Sequence, residues 1–169
     1  MSADDVIQAF RDEFRALRAH ADQAIEQLGD DQLFEQLDEE ANSVAHLMKH
    51  VGGNLRSRWT DVFTTDGEKP DRRRDDEFER HASDTRATID AAWNGGWVVV
   101  LEALDAIVDA DLQRVVVIRG QSLTLSRALT RSLAHTAGHV HQIVLLAKHW
   151  RGASWRTLSL PRGRSEQVP

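Results

Sequence analysis

At 169 residues the chain is long enough for one domain with a substantial core, and its 41% apolar and 28% charged residues are ordinary globular values. The absence of cysteine excludes disulfides, thiolate zinc sites and cysteine nucleophiles. The formal net charge of −6 is unevenly distributed, since residues 1–40 carry 12 acidic and 3 basic side chains, whereas residues 112–169 carry 9 basic and 1 acidic.

This uneven distribution predicts oppositely charged helices that pack side by side or across a dimer. The basic residues of the second half are dispersed and have no stacking aromatic residues among them, so we expect no nucleic-acid partner. The N-terminus has neither a basic start nor an apolar run, and no segment approaches the roughly 18 apolar residues that span a bilayer. We therefore expect a cytoplasmic protein that does not interact with membranes.

The first predicted helix extends from Ala3 to about Leu28, because apolar residues recur there at steps of three and four. Its apolar stripe consists of Val6, Phe10, Phe14, Leu17, Ala21, Ile25 and Leu28. Gly29, followed by two aspartates, indicates the end of this helix. A short turn follows, in which we expect three apolar side chains to fill the core: Leu33, Phe34 and Leu37.

A second helix is predicted from about Asn42 to Phe63, with Asn42 or Ser43 as its N-terminal cap. Its apolar stripe consists of Val44, Leu47, Val51, Leu55 and Val62. The polar segment from Thr64 to Asp76 contains a glycine, a proline and three consecutive arginines, which predicts a loop. Its length is typical of a crossover between helices that are not adjacent antiparallel neighbours.

The third predicted helix extends from about Ser83 to Asp109 and is capped by Ser83 or Asp84. Its inward-facing residues are Ile89, Trp93, Val100, Leu104 and Ile107. Gly95 and Gly96 interrupt it, at a cost of about 1 kcal/mol for each glycine unless close packing requires them.

Two β-branched or alternating runs, Val115–Ile118 and Leu123–Leu125, flank a glycine turn and predict a small β-hairpin. A fourth helix is predicted from Ser126 to Trp150, and Gly152 indicates its end. Residues 151–169 have no period and are expected to lie over the helices as a tail. The pattern predicts an all-α fold, a four-helix bundle with a long crossover loop and a hairpin before the last helix, in a single domain of residues 1–169.

Two histidines in the fourth predicted helix, His135 and His139, stand four residues apart, so their imidazoles share one helix face and can bind one metal ion. A helical wheel with about 100° per residue places His139 at the centre of the apolar stripe and His135 about 40° to one side. Gln142 lies about 60° to that same side and is a candidate to orient a ligand or bind substrate. His141 points in nearly the opposite direction.

A third histidine comes from the second predicted helix. The wheel favours His50 over His46, which lies about 40° further from the apolar stripe, and it places Asn54 one turn beyond His50. His46 is interpreted either as a neighbour of a ligand or as a solvated group. His20 and His81 have no companions and are expected on the surface.

Together, His50, His135 and His139 predict a metal site with an open coordination position. Three imidazoles suit zinc, nickel, iron or copper without discriminating among them, and we take zinc or nickel as the first candidates and iron as the next. A core network of polar side chains without any metal stays an alternative, because a buried imidazole without a partner costs about 1–3 kcal/mol.

The segment His135–Gln142 resembles the HxxxH-x-G-Q signature of the DinB and YfiT-like superfamily of metal-dependent proteins. The resemblance implies a four-helix bundle whose metal is bound by one histidine of the second helix and two of this motif. The superfamily places its second-helix histidine eight residues after a small or aromatic position, which here maps Asn42 to His50. This chain departs from the signature in having His141 in place of the usual glycine and Val140 where arginine is common.

Three separated segments resemble an uncharacterised bacterial branch of that superfamily and extend the resemblance over most of the chain: Asn42–His50, Asn54–Asp61 with Thr65–Lys69, and Leu160–Ser165. The superfamily includes thiol-dependent S-transferases, a thiol-dependent isomerase and proteins labelled as hydrolases. The resemblance implies a small-molecule substrate, a low-molecular-weight thiol activated by the metal, and a homodimer. Gln142 and Asn54 are then candidate catalytic or substrate-binding groups.

Two other functions stay open, namely a metal-dependent hydrolase that activates water and a non-catalytic, metal-stabilised dimeric helical protein. A structural metal site should be closed and deep, whereas a catalytic one should open into a pocket. Four arginines are expected either to meet a carboxylate-bearing thiol or to form surface ion pairs: Arg56, Arg58, Arg162 and Arg164. The acidic run at residues 75–77 is expected to be solvated.

Overall fold

The computed structural model describes residues 4–161 and 163–164. Within these residues the chain is mostly helical, with five α-helices and one antiparallel hairpin directly before the last helix. The helices are α1 (Asp4–Ile25), α2 (Asp30–Phe34), α3 (Val44–Trp59), α4 (Arg86–Ala106) and α5 (Leu125–Arg151), and the strands are β1 (Val115–Ile118) and β2 (Gln121–Thr124). The predictions of a mainly helical fold and of a hairpin before the last helix are confirmed.

Three of the long helices begin at a side chain that accepts a hydrogen bond from a backbone N–H of the first turn. These caps are Ser43 for α3, Thr85 for α4 and Thr124 for α5. A cap of this kind contributes about 1 kcal/mol to helix stability. The prediction of Ser43 is confirmed, whereas the predicted caps Ser83 and Asp84 are wrong because Thr85 occupies that position.

The ends of α1, α3 and α4 lie three or four residues earlier than predicted. Apolar residues beyond these ends nevertheless pack against the core, which explains the longer predictions: Leu28, Val62, Phe63 and Ile107. Leu33 is buried in α2 as expected, but Leu37 is 51% exposed, so its predicted place in the core is wrong. Ala3, the predicted first residue of the first helix, lies outside the described residues.

Each of the four long helices packs mainly against two others, since both α1 and α3 contact α4 and α5. The acid-rich α1 therefore lies beside the base-rich α5, one of the arrangements that the uneven charge distribution predicts. The core between the helices contains large, fully buried side chains, each worth about 1.5–3 kcal/mol of apolar burial: Phe14, Leu47, Leu55, Trp97, Leu104 and Leu129.

Helix α4 continues through Gly95 and Gly96 without a break, so the predicted interruption is wrong. A Cβ on Gly96 would overlap the backbone of Gly52 in α3, and a Cβ on Gly52 would overlap the carbonyl of Ala92. Only glycine allows the two backbones to approach this closely. The contact fixes the position of α3, which carries one of the candidate metal ligands.

The connection between α3 and α4, residues 60–85, returns along the length of α3. Lys49 in α3 forms an ion pair of 2.8 Å with Asp84 just before α4, so the two helices progress in the same general direction. The loop is also attached to the hairpin, because the carboxylate of Asp66 accepts hydrogen bonds from the backbone N–H groups of Arg119 and Gly120 at 2.8 and 2.7 Å. The 60–85 connection is thus attached to other parts of the protein near its beginning, through Asp66, and near its end, through Asp84.

After α5, part of the predicted tail packs against the helices. Trp155 and Leu158 contact the core, and the Gln27 side chain bonds to both the N–H and the carbonyl of Arg156, at 2.8 and 3.1 Å. Among the described residues, no helix combines the length and apolar character needed to cross a bilayer.

Candidate metal centre

His50 lies in α3, is only 4% exposed, and faces α5. Its ring packs against that of Phe78, with a centroid distance of 4.6 Å. Its Nδ1 atom lies 2.8 Å from Oε2 of Glu77. The imidazole is therefore held on one edge by a carboxylate and on one face by an aromatic ring.

His135 and His139 lie on successive turns of α5, and both are half-buried. Their ring centroids are 4.6 Å apart and lie 5.1 and 4.9 Å from the ring centroid of His50. One ring nitrogen from each of the three histidines lies within 4.8 Å of the other two. The structure thus brings together the three side chains that the sequence selected as metal ligands.

The predicted position of His139 at the centre of the apolar stripe is wrong. The buried face of α5 also includes Leu129, Thr136 and Val140, which lie on the side of the helix away from His135. Both histidines consequently lie towards one edge of the buried face. An edge position leaves these imidazoles accessible from one side, as a ligand-binding site requires.

The hydrogen bonds of His50 and His139 show that Nδ1 carries a proton in each ring. A carboxylate can only accept, so Nδ1 of His50 donates to Glu77. Nδ1 of His139 likewise donates to Oε1 of Gln142 at 2.9 Å. With the Nδ1 proton held in this way, Nε2 is the atom that each ring can offer to a metal ion, and the partner at Nδ1 fixes the ring orientation.

His135 completes the cluster. Its Nε2 lies 3.1 Å from Nε2 of His50, while its Nδ1 is buried and has no hydrogen-bond partner within the part of the chain that the structure describes. Two nitrogens that bind one zinc ion tetrahedrally at about 2.0–2.1 Å lie about 3.3 Å apart. The observed separation is close to that value, so the donor set fits a transition-metal ion.

The electrostatic environment favours the neutral form of His135 and His139. Burial, followed by repulsion from His139, His50 and nearby arginines, lowers the pKa of His135 from 6.5 to about 4. Burial also lowers the pKa of His139, and the hydrogen bond with Gln142 opposes part of this effect. Because only a neutral imidazole can donate its lone pair, both side chains are ready to bind a metal at neutral pH.

Glu77 is the residue of the site that the sequence did not reveal, and the prediction that residues 75–77 are solvated is wrong for it. Its side chain is buried and forms two hydrogen bonds of 2.8 Å with the Arg72 guanidinium, besides the one with His50. Burial alone raises the pKa of Glu77, but its bonds to Arg72 and His50 outweigh this effect and hold the pKa below its ordinary value. Glu77 is therefore a charged acceptor at neutral pH.

The remaining candidates are distributed around the cluster. Gln142 is exposed and contacts His139 as described, and Asn54 is buried one turn beyond His50. His46 is buried rather than solvated, because it takes part in the Ser43 cap through its backbone N–H and Nδ1. His141 is exposed and bonds to the carbonyl of Ala137, outside the cluster.

Two of the four arginines that were expected to contact substrate or to form ion pairs lie in α3 and form ion pairs with carboxylates of the 60–85 loop. Arg56 pairs with Asp71 and Arg58 with Glu68, each at 2.9 Å. Arg164 is exposed, and Arg162 lies outside the described residues.

A cavity of about 280 Å³ adjoins the histidines. His50, His135 and Asn54 contribute to its wall, together with Trp59 and Ser132, which share a hydrogen bond of 3.1 Å. A volume of this size accommodates a small molecule. Two of the three histidines thus border a cavity, so the cluster is not enclosed in the core.

The fold and the site define a mostly helical protein with three converging histidines from two helices. The chain belongs to the family described as "protein of unknown function (DUF1572)", which it matches over residues 2–164. No curated protein matches the chain at a significant level.

Proposed function

We propose that this protein is a metal-dependent enzyme that acts on a small molecule and uses a low-molecular-weight thiol, as an S-transferase does. The proposal rests on one observation, the convergence of His50, His135 and His139 beside a cavity that two of them, His50 and His135, line. Zinc or nickel is the proposed metal, with iron as the next candidate.

We further propose that the four long helices form a four-helix bundle of the DinB type, and that the protein is a homodimer, as the motif resemblance implies.

When bound, the ion supplies a Lewis acid that lowers the pKa of a thiol or of water. The surrounding side chains would prepare the ligands for this task. Glu77 and Gln142 are positioning residues, because each holds Nδ1 of one histidine and leaves Nε2 available. Asn54 has the role of binding substrate, because its buried amide lines the cavity beside His50.

Access to the cluster supports catalysis over a purely structural role for the metal. A structural site is normally closed by four protein ligands, whereas a catalytic site keeps one position open. Here His135 and His139 are half-buried and His135 borders the cavity. Three protein ligands beside an accessible cavity match the catalytic arrangement.

The primary test is elemental analysis of protein purified without an affinity tag, alongside His139→Ala. We expect near-stoichiometric zinc, nickel or iron in the wild type and loss of most of it in the variant. His149→Ala is the matched control, because His149 is an exposed histidine of the same helix outside the cluster. Absence of metal from the wild type, or equal metal content in all three proteins, would contradict the proposal.

The second test measures turnover of an electrophilic acceptor with a panel of low-molecular-weight thiols. We expect metal-dependent consumption of thiol that is lost after chelation and restored by adding the metal back. Metal-dependent hydrolysis of an ester without thiol would replace the transferase by a hydrolase. A metal-loaded protein without either activity would instead support the non-catalytic, metal-stabilised protein.

A further inference from the structure

Positive charge dominates the wall of the cavity beside the histidines. Five of its lining residues are arginines, contributed by α3, the 60–85 loop, the hairpin turn and α5: Arg58, Arg72, Arg74, Arg119 and Arg131. In the described part of the chain no aspartate or glutamate lines this cavity. Guanidinium groups from four separate segments therefore converge on the space that the histidines also border.

Only part of this charge is neutralised within the protein. Three carboxylates pair with four of the five arginines: Glu68, Glu77 and Asp75. Arg131 has no acidic partner within 4 Å among the residues that the structure describes. Five guanidinium charges against three carboxylates leave an excess of two positive charges, which a cavity with low-dielectric walls concentrates.

Arg72 is the most buried of these arginines. Its side chain is only 3% exposed, and Nε and Nη2 are both used by Glu77. Its Nη1 lies 3.6 Å from Oε1 of Glu68, beyond hydrogen-bond distance, and has no partner within residues 4–161 and 163–164. A buried charged donor without a hydrogen-bond acceptor costs about 1–3 kcal/mol or more, so the guanidinium of Arg72 is only partly satisfied by its two carboxylate neighbours.

We infer that the cavity binds the anionic group, a carboxylate or a phosphate, of a small-molecule ligand. Arg131 is the principal contact, because it lines the cavity and has no acidic partner among the described residues, and the four paired arginines contribute the remaining positive charge. Planar guanidinium groups suit both oxyanions, since each can receive paired N–H donors. We take this ligand to be the substrate or the thiol of the enzyme. That identification rests on the proposed function, because only an enzyme with a metal at the histidines would act on the other end of the ligand.

The cavity contains a site-specific reporter of binding. The indole N–H of Trp59 donates to Ser132, and both residues line the cavity. Trp93 provides an internal reference, since its indole bonds to Asp22 outside this wall. The protein is titrated with succinate or inorganic phosphate at constant ionic strength, and the indole signals are recorded in a ¹⁵N–¹H spectrum. The indole signal of Trp59 should shift in a saturable way, and that of Trp93 should not change.

The variant Arg131→Gln should weaken this binding at least about tenfold, because a charge-assisted hydrogen bond contributes about one decade of affinity. Arg127→Gln is the matched control, because Arg127 is exposed on α5 one turn earlier and does not line the cavity. Both side chains are exposed, so neither change should disturb folding. Uncharged succinamide should not bind.

Saturation with succinate alone would identify a carboxylate site, and saturation with phosphate alone a phosphate site. The inference is overturned if neither anion shifts Trp59, if succinamide binds equally well, or if both arginine variants weaken binding equally. The titration is repeated on metal-free protein and on His139→Ala. If the protein binds the anion but never contains metal, this inference stands and the proposed function fails. If it binds metal but no anion, the proposed function stands and this inference fails.

Discussion

Glu77 links two functional elements through a single side chain. One of its carboxylate oxygens accepts from His50, and both oxygens accept from Arg72. A carboxylate at Nδ1 fixes the tautomer of a metal-binding imidazole and increases its basicity. The same carboxylate orients Arg72, which is one of the residues that line the cavity. Glu77 therefore couples the candidate ligand cluster to the arginine-lined cavity.

We expect Glu77→Gln to weaken metal binding about 10- to 100-fold, the usual effect of losing a partner of a metal-binding histidine. The affinity is measured by competition with a chelator. Glu79→Gln is the control, because Glu79 is exposed two residues away and its side chain does not contact His50. Equal metal affinity in the two variants would show that Glu77 does not act on the ligand.

The pKa of His135 predicts a pH dependence of stability in the metal-free protein. The folded state keeps this imidazole neutral down to about pH 4, whereas the unfolded chain binds a proton near pH 6.5. The unfolded state therefore holds more protons between these values, and the free energy of unfolding falls as the pH decreases through that window. Partial exposure reduces the contribution of His135 to about 1–2 kcal/mol.

The variant His135→Gln removes this contribution, so its loss of stability towards acidic pH should be smaller than that of the wild type. The measurement is urea denaturation in the presence of a chelator, at pH values from about 7 to about 4.5. Comparing the two proteins cancels the titration of carboxylates that they share. Parallel pH profiles would contradict the assignment of a lowered pKa to His135.

The sequence predicted the three histidines because each lies on a helix, where a period of 3.6 residues relates sequence spacing to direction. It could not predict Glu77, which is 27 residues from His50 and reaches it through a loop without periodicity. The position of His139 was predicted wrongly because it also depends on contacts between helices. A helical wheel shows where the apolar side chains of one helix lie, but it does not show which of them a neighbouring helix covers.

At the scale of secondary structure, α4 contains two adjacent glycines, Gly95 and Gly96, and the contact between α3 and α4 depends on Gly96. Gly96 lies against the backbone of Gly52, whereas no described atom lies within 4 Å of a Cβ added to Gly95. The two glycines are adjacent in one helix and have the same propensity, about 1 kcal/mol below alanine. They therefore separate the effect of helix propensity from that of close packing.

Gly95→Ala should stabilise the protein by about 0.5–1 kcal/mol, because it improves helix propensity without a clash. Gly96→Ala should destabilise it by about 1–3 kcal/mol or more, since the added methyl group must push α3 and α4 apart. Urea denaturation of both variants beside the wild type gives the two changes in unfolding free energy. A stabilising effect of both alanines would show that the close contact is not required.

The elements that could be predicted are those that local rules determine. Apolar periodicity predicted α1, α3, α4 and α5, and the glycine turn at residue 120 predicted the hairpin. Helix ends were less accurate, because the apolar stripes continue into residues that pack on the core without being helical. The path of residues 60–85 was not predictable, since long-range bonds such as those of Asp66 to the hairpin turn determine it.

For the whole molecule, the proposed metal at the histidine cluster would be a cross-link between α3 and α5. His50 and His135 are 85 residues apart in sequence and 3.1 Å apart at their Nε2 atoms. The unfolded chain does not keep these groups together, so an ion that binds the folded state stabilises it by mass action.

We expect a saturating metal at 100 times its dissociation constant to raise the unfolding free energy by about 2.7 kcal/mol, equivalent to about 5–10 °C in melting temperature. His139→Ala should lose most of this increase, because two nitrogens bind an ion far more weakly than three. His141→Ala should retain it, since His141 is exposed and bonds to its own helix. Calorimetry of the three proteins with and without metal provides the measurement. An equal metal-induced increase in the His139 variant would show that the ion binds elsewhere, whereas loss of the increase in His141→Ala would add that histidine to the ligand set.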